Sequence, residues 1–147
     1  MINVKIAGFK ELETSIKNLP SKLKKEVAFR VQQSGERFRD LAIKELSSGM
    51  LDHPTGFLAG SITKIPVGQS SELNCSVVAG KEYAPYVEWG TITKVQVPAE
   101  LTAYASQFKG NGLKTTGGMS PRPFFFKQAP IVQKELIKHI ENIIKNL

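Results

Sequence analysis

From Ser21 to about Ser47 the residues Leu23, Val27, Val31, Ser34, Phe38, Leu41, Ala42 and Leu46 recur mostly three or four positions apart. That spacing puts them on one face of an α-helix. Lys24, Glu26, Arg30, Glu36, Arg37, Asp40 and Lys44 fall mainly off the stripe. At about 1.5 Å per residue, a helix of about 26 residues is roughly 40 Å long, enough to span a small domain. Everything else in the chain must therefore be organised against its apolar side. Leu19-Pro20 marks the start, because the position before proline is driven out of the α region. Ser21 is then the N-cap, or Pro20 is the first helical residue. Ser47-Ser48-Gly49 supplies a glycine stop. Gly35, inside the run, weakens the helix.

On either side of this helix the period changes. Residues 2–7 alternate apolar and polar as a strand would, ended by Gly8, and residues 9–18 read as helical. Segments 59–68, 72–79 and 84–90 carry Ile, Val, Tyr and Trp between turn residues and read as strands; a short connection makes the first two an antiparallel hairpin. A short helix is expected from Pro98 to Phe108, followed by a Gly/Thr-rich loop and an aromatic strand through Phe124, Phe125 and Phe126. A final helix over 127–146 turns Val132, Leu136, Ile140, Ile143, Ile144 and Leu147 to one side. The class is α+β: an antiparallel β-sheet packed against the long N-terminal-half helix and a C-terminal helix. A chain of 147 residues suits one domain over 1–147.

Composition narrows the class without choosing a function. With 41% hydrophobic and 22% charged residues the chain matches ordinary globular proteins. It has no apolar run near the roughly 20 residues of a membrane span. MINVKIAGFKELE has no apolar core or cleavage site of a secretory signal, so synthesis and folding in a cytoplasm are expected. The single cysteine, Cys75, sits in an alternating run and reads as a small buried apolar residue. The net charge of +7 favours anionic partners in general. By itself it does not separate nucleic acid from a merely solvated basic surface.

Templates for chemistry find little purchase. There is no GxxxxGK[ST] loop, HExxH, paired CxxC or GxSxG elbow, and Gly110-Asn111-Gly112 and Gly117-Gly118 lie outside any strand-to-helix register. The two histidines, His53 and His139, have no supporting motif. No cofactor and no metal is expected. Glu88 in YVEWG is the one acid to weigh for general acid–base work, which needs a second group at a set distance. None is evident. A strand with Pro85, Val87 and Trp89 on one face and Tyr86 and Glu88 on the other accounts for it. A small hydrolase centred on Glu88 is thus the weakest of three readings, and only assembly surviving Glu88→Gln while an activity is lost would revive it. The aromatics Tyr83, Tyr86, Trp89 and Phe124 to Phe126 suit a core, a subunit interface or a platform for stacked bases. Three successive Phe on a strand cannot all point inward, which favours an interface for at least one.

Three motifs in order then resemble a known family. They are Pro54-Thr55-Gly56-Phe57-Leu58-Ala59-Gly60-Ser61-Ile62, then Tyr83-Ala84-Pro85-Tyr86-Val87-Glu88-Trp89-Gly90-Thr91, then Arg122-Pro123-Phe124-Phe125 leading into the last helix. Their order and spacing resemble the head–tail connector or tail-completion (neck) proteins of long-tailed bacteriophages, over about residues 12–144. Residues 92–121 depart from that pattern as an inserted helix and loop. The resemblance implies a structural virion protein, not an enzyme. It implies a homo-oligomeric ring, hexameric in the virion, between the portal or head-completion complex and the tail tube or tail terminator, made in the bacterial host cytoplasm and with no membrane association. Identical subunits in such a ring meet head to tail. Tyr86, Glu88, Trp89, Arg122 and Phe125 are the candidate interface residues, with loops 49–57 and 92–121 beside them. Lys94, Lys109 and Lys114 of the insert are candidates for non-specific contact with passing DNA or with a partner. The alternative is a basic nucleic-acid-binding module; retention of labelled DNA by the isolated chain near physiological salt separates the two.

Overall fold

A computed structural model describes residues 2–7, 20–48, 56–66, 73–91, 99–106 and 120–146. Its elements are β1 (Ile2–Ala7), α1 (Ser21–Ser47), α2 (Gly56–Gly60), β2 (Ile62–Pro66), β3 (Asn74–Ala79), α3 (Ala84–Trp89), α4 (Thr102–Ala105) and α5 (Ala129–Lys145). Two 3-10 turns, Ala99–Leu101 and Phe126–Gln128, lead into α4 and α5. The α+β class is as the periodicities predict. The helix expected over 9–18, the glycine stop at Gly49 and most of the insert lie outside the described residues.

α1 forms because its stripe has something to cover. Val27, Val31, Ser34, Phe38, Ala42 and Leu46 are all buried, while Lys24, Arg37, Asp40 and Lys44 are exposed. Its N-cap is Pro20, one residue earlier than a serine cap would put it, and Ser21 opens the helix; the carbonyl of Pro20 accepts from the amides of Leu23 (2.9 Å) and Lys24 (3.1 Å). At the other end Ser48 turns its amide and hydroxyl back onto the Glu45 carbonyl, using an otherwise orphan acceptor.

Beneath α1 lies a three-stranded antiparallel sheet in the order β1-β3-β2. The β2–β3 pair is the expected hairpin, in register Ile62↔Ala79, Lys64↔Val77 and Pro66↔Cys75. β3 is the central strand, bonded on its other edge to β1 from Ile2↔Ala79 to Ala7↔Asn74. Buried from Cys75 to Ala79, it carries no charged residue. Cys75, Val77 and Ala79 share the face turned to α1, joining Phe38, Ala42, Val27 and Val31 in the core. α5 packs on α1 through Val132, Leu136 and Ile140, as its periodicity predicts, whereas Ile144 is left exposed. An ion pair from Arg37 to Glu135 at 3.4 Å spans the two helices at the surface.

Gly35 explains itself here. A Cβ on it would lie 2.1 Å from Cys75 Sγ, well inside contact distance. The missing methyl lets β3 sit directly against the helix, and the helix tolerates the glycine in exchange. Beside this contact Lys64 reaches Glu36 at 2.7 Å; that hydrogen bond, with the charges of Lys64 and Arg39, holds the Glu36 carboxyl below its ordinary value against the opposing effect of burial. Burial pushes the Cys75 thiol up, which keeps it protonated and unreactive.

Two expected strands are not strands. Of residues 84–90, Ala84–Trp89 form helix α3: Pro85 occupies the first turn, where its missing N–H costs nothing, and Gly90 caps the helix at φ 66°. Ala59 and Gly60, expected to open the strand over 59–68, instead close the short helix α2, and the strand begins only at Ile62. The aromatic run is also not a strand. Residues 121–125 are irregular and Phe126 enters a 3-10 turn. Local proline and glycine chemistry overrides the β-propensity of Tyr, Val, Trp and Phe in both places.

The Gly35–Cys75 contact makes a sign-reversing prediction. In the wild-type background Gly35→Ala should destabilise the protein by about 1–2 kcal/mol, because overpacking outweighs the gain in helix propensity. In a Cys75→Ala background the same change should be neutral or stabilising by up to about 1 kcal/mol. Urea unfolding of the four proteins measures both effects; equal costs of Gly35→Ala in the two backgrounds would remove the close approach as the reason for the glycine.

Candidate functional site

The second and third motifs meet in space, and Glu88 joins them. α3 is one and a half turns long and buries Ala84, Pro85, Val87, Glu88 and Trp89, leaving Tyr86 outside. Its last turn projects the Glu88 side chain inward, 2% exposed. There the carboxylate accepts three successive backbone amides: Phe124 and Phe125 donate to Oε2 at 2.8 and 2.9 Å, and Phe126 to Oε1 at 3.1 Å.

These amides stand at the approach to the Phe126–Gln128 turn and α5, where a helix start has donors without helical partners. Arg122-Pro123-Phe124-Phe125 offers no Ser, Thr, Asp or Asn to cap them, and no side-chain cap is made locally. Glu88 supplies that function from 36 to 38 residues away. The amide of Arg122 in turn donates to the Val87 carbonyl at 2.8 Å, and Gln128 Nε2 donates to the Phe124 carbonyl at 3.1 Å. The two segments thus satisfy one another's backbone.

Side-chain packing closes around this polar centre. Phe38 of α1 meets Phe125 edge-on at 4.9 Å between centroids. Trp89 stacks on Phe126 at 5.3 Å with the planes 17° apart, and meets Tyr104 of α4 edge-on at 5.4 Å. Lys127 pairs with Glu45, tying the 3-10 turn to α1. Burial raises the Glu88 carboxyl above its ordinary value; the amides of Phe125, Phe124 and Phe126, and then the charge of Lys127, pull the other way.

The candidate interface residues therefore divide. Tyr86 is on the surface (40% exposed) and Arg122 is half-buried. Glu88, Trp89 and Phe125 are inside this chain, at 2%, 4% and 0% exposure. The expectation of an outward-facing Phe125 is corrected: an irregular segment lets Phe124 and Phe125 both turn inward, which a strand would forbid. Glu88 is on a helix, not on the outer face of a strand, and both its oxygens are engaged by amides. Lys94, Lys109 and Lys114, and the loop 49–57 apart from Gly56 and Phe57, lie outside the described residues.

Outward-facing apolar groups that sequence reading did not single out include Phe57 at 75% and Phe29 at 59% exposure; Tyr83 is also exposed. Phe57, Tyr83 and Tyr86 come from the first two motifs, so those motifs have an outside as well as a locking inside. No group of three or more His, Cys, Asp or Glu close enough to hold a metal ion occurs among the described residues. The clamp did leave a trace in the sequence: a lone acid between Val87 and Trp89, and a helix preceded by a run with no capping residue.

Removing the clamp should be costly. Glu88→Ala leaves three buried amides unpaired and should destabilise by at least about 3 kcal/mol; Glu88→Gln, which sets an NH2 among N–H donors, should cost about 2 kcal/mol or more. The folded carboxyl lies above its unfolded value, so the stability contributed by its titration is full below the unfolded value and declines as pH rises through the folded one. The stability gap between wild type and Glu88→Gln should accordingly narrow as pH rises past the ordinary glutamate value. Denaturant titrations at several pH values, with carbon NMR titration of the Glu88 carboxyl, check both; a midpoint below that of an ordinary glutamate would contradict the sign.

Comparison of the chain with protein-family models, with curated proteins and with solved structures finds no match.

Proposed function

We propose that the chain is a structural virion protein of long-tailed bacteriophages, a ring subunit at the head–tail junction through which the genome passes. The reading rests first on the ordered motifs ending in Ile62, Thr91 and Phe125. The observation that carries it is the use those motifs find in the fold. The one acid that invited a catalytic reading is held by three backbone amides between two of the motifs. A carboxylate so engaged braces two segments against each other. The same motifs place Phe57, Tyr83 and Tyr86 outside, residue types enriched where proteins meet.

In this reading a braced subunit presents those aromatics to its neighbour around a closed ring. One face of the ring meets the portal or head-completion complex and the other the tail tube or terminator. Rigidity matters because contacts between copies must repeat identically for a ring to close. An excess of positive charge, +7 for the chain, suits a channel that passes phosphates without reading sequence.

Deleting the gene from the phage genome that encodes it should yield DNA-filled heads and separate tails in electron micrographs, with no joined particles. A Tyr83→Ser/Tyr86→Ser variant should keep most of its thermal stability, because both side chains are exposed, and yet fail to restore joining. Normally joined particles without the protein would sink the proposal; full rescue by the double variant would move the interface elsewhere.

A further inference from the structure

A second feature lies at the surface between α1 and α5. Arg37 faces Glu135 and Arg30 shares a groove with His139, so α1 and α5 run in opposite directions. Between them is a surface groove of about 280 Å³ lined by Arg30, Gln33, Ser34, Arg37, Glu135 and His139. Every lining residue is polar, in a region where both helices turn their apolar stripes to each other just beneath. We infer that this groove binds the phosphodiester backbone of nucleic acid, without reading its sequence.

The arginines carry the argument. Arg30 is oriented, since its Nη1 donates to Gln33 Oε1 at 3.1 Å, while Ser34 fixes the helix below by donating to the Arg30 carbonyl at 2.9 Å. Its Nε is buried and has no hydrogen-bond partner among the described residues, so the charge it offers the groove is carried by the rest of the guanidinium. Arg37 lies two turns along the same helix face, about 10 Å away. Its one ionic partner among the described residues, Glu135, is at 3.4 Å with both side chains about half exposed, a pair weak enough for a phosphate to displace. Lys134 and Lys138 stand on the far side of Glu135 and line the next depression along α5. Positive charge therefore exceeds negative along the whole rail.

Phosphodiester fits this lining better than an acidic peptide. Protein partners need apolar anchors, and the six residues of the groove offer none, Pro130 and Ile131 lining only the next depression, whereas nucleic-acid interfaces are polar and basic. Guanidinium, amide and imidazole groups are the usual partners of phosphate oxygens. Glu135 inside the groove keeps the contact weak. The inference goes beyond the ring proposal and does not depend on it.

The test is fluorescence anisotropy of the full chain with a labelled duplex of about 20 base pairs and arbitrary sequence. Wild type should bind at about 50 mM salt and lose most of its affinity by about 200 mM. Arg30→Gln/Arg37→Gln should weaken binding about tenfold or more at low salt and flatten the salt slope by about 1.8, the value for two phosphate contacts. Lys81→Gln, beyond the opposite end of β3 from Gly35, should bind as wild type, and thermal melts should show all three proteins folded. Absence of duplex binding at low salt, or an undiminished slope in the double variant, overturns the inference. So does tighter binding of a poly-glutamate peptide of equal charge, which would assign the groove to an acidic protein. Saturable binding of inorganic phosphate alone, without duplex binding, overturns it too. Each of these failures leaves the head–tail proposal standing, since that is judged on joined particles.

Discussion

A buried carboxylate shared among three consecutive amides holds the two halves of this fold together. Burying an ionisable group costs free energy, and so does leaving amides without acceptors at the start of a helix; placing one against the other offsets both. Glu88 joins a short helix to the approach of the C-terminal helix; the contact from Arg122 to Val87 runs across the same junction, and that from Gln128 to Phe124 steadies the receiving segment. Packing then follows the polar geometry. With the backbone fixed at 124–126, Phe125 is directed onto Phe38 of the long helix and Phe126 beneath Trp89.

The rest of the molecule is arranged around one strand and one helix. β3 has hydrogen-bonded neighbours on both edges and is buried along nearly its whole length. The long helix approaches it closely because Gly35 has no side chain where Cys75 needs room. From this base the chain divides its aromatics between two tasks. Phe38, Trp89, Phe124 and Phe125 are enclosed, whereas Phe29, Phe57 and Tyr86 are left at the surface.

What could be read beforehand were the features with a period. The long helix was legible from Leu23 to Leu46, the hairpin of β2 and β3 from its turn residues, and the C-terminal helix from Val132, Leu136 and Ile140. What could not be read were short segments whose conformation depends on one residue. Ala84–Trp89 has the composition of a strand, and Pro85 in the first turn together with Gly90 at the end makes it a helix. The inward turn of both Phe124 and Phe125 depends on amides fixed by a residue 36 and 37 positions earlier, a relation no local window contains. The groove of Arg30, Arg37 and His139 was hidden for another reason: its residues sit on two helices whose pairing is set by their apolar faces, not by the charges themselves.

The register Ile2↔Ala79 has a consequence for synthesis. A ribosome delivers β1 first, yet its hydrogen-bonding partner follows more than seventy residues later, so the first strand must wait with an unpaired edge while the long helix is made. Closing so large a loop is slow and leaves the nascent chain open to pairing with other strands. Only after that can the Glu88 amides, later still in the chain, complete the enclosure. Slower elongation lengthens that interval, and a chaperone bound over β1 would cover its open edge until β3 is made.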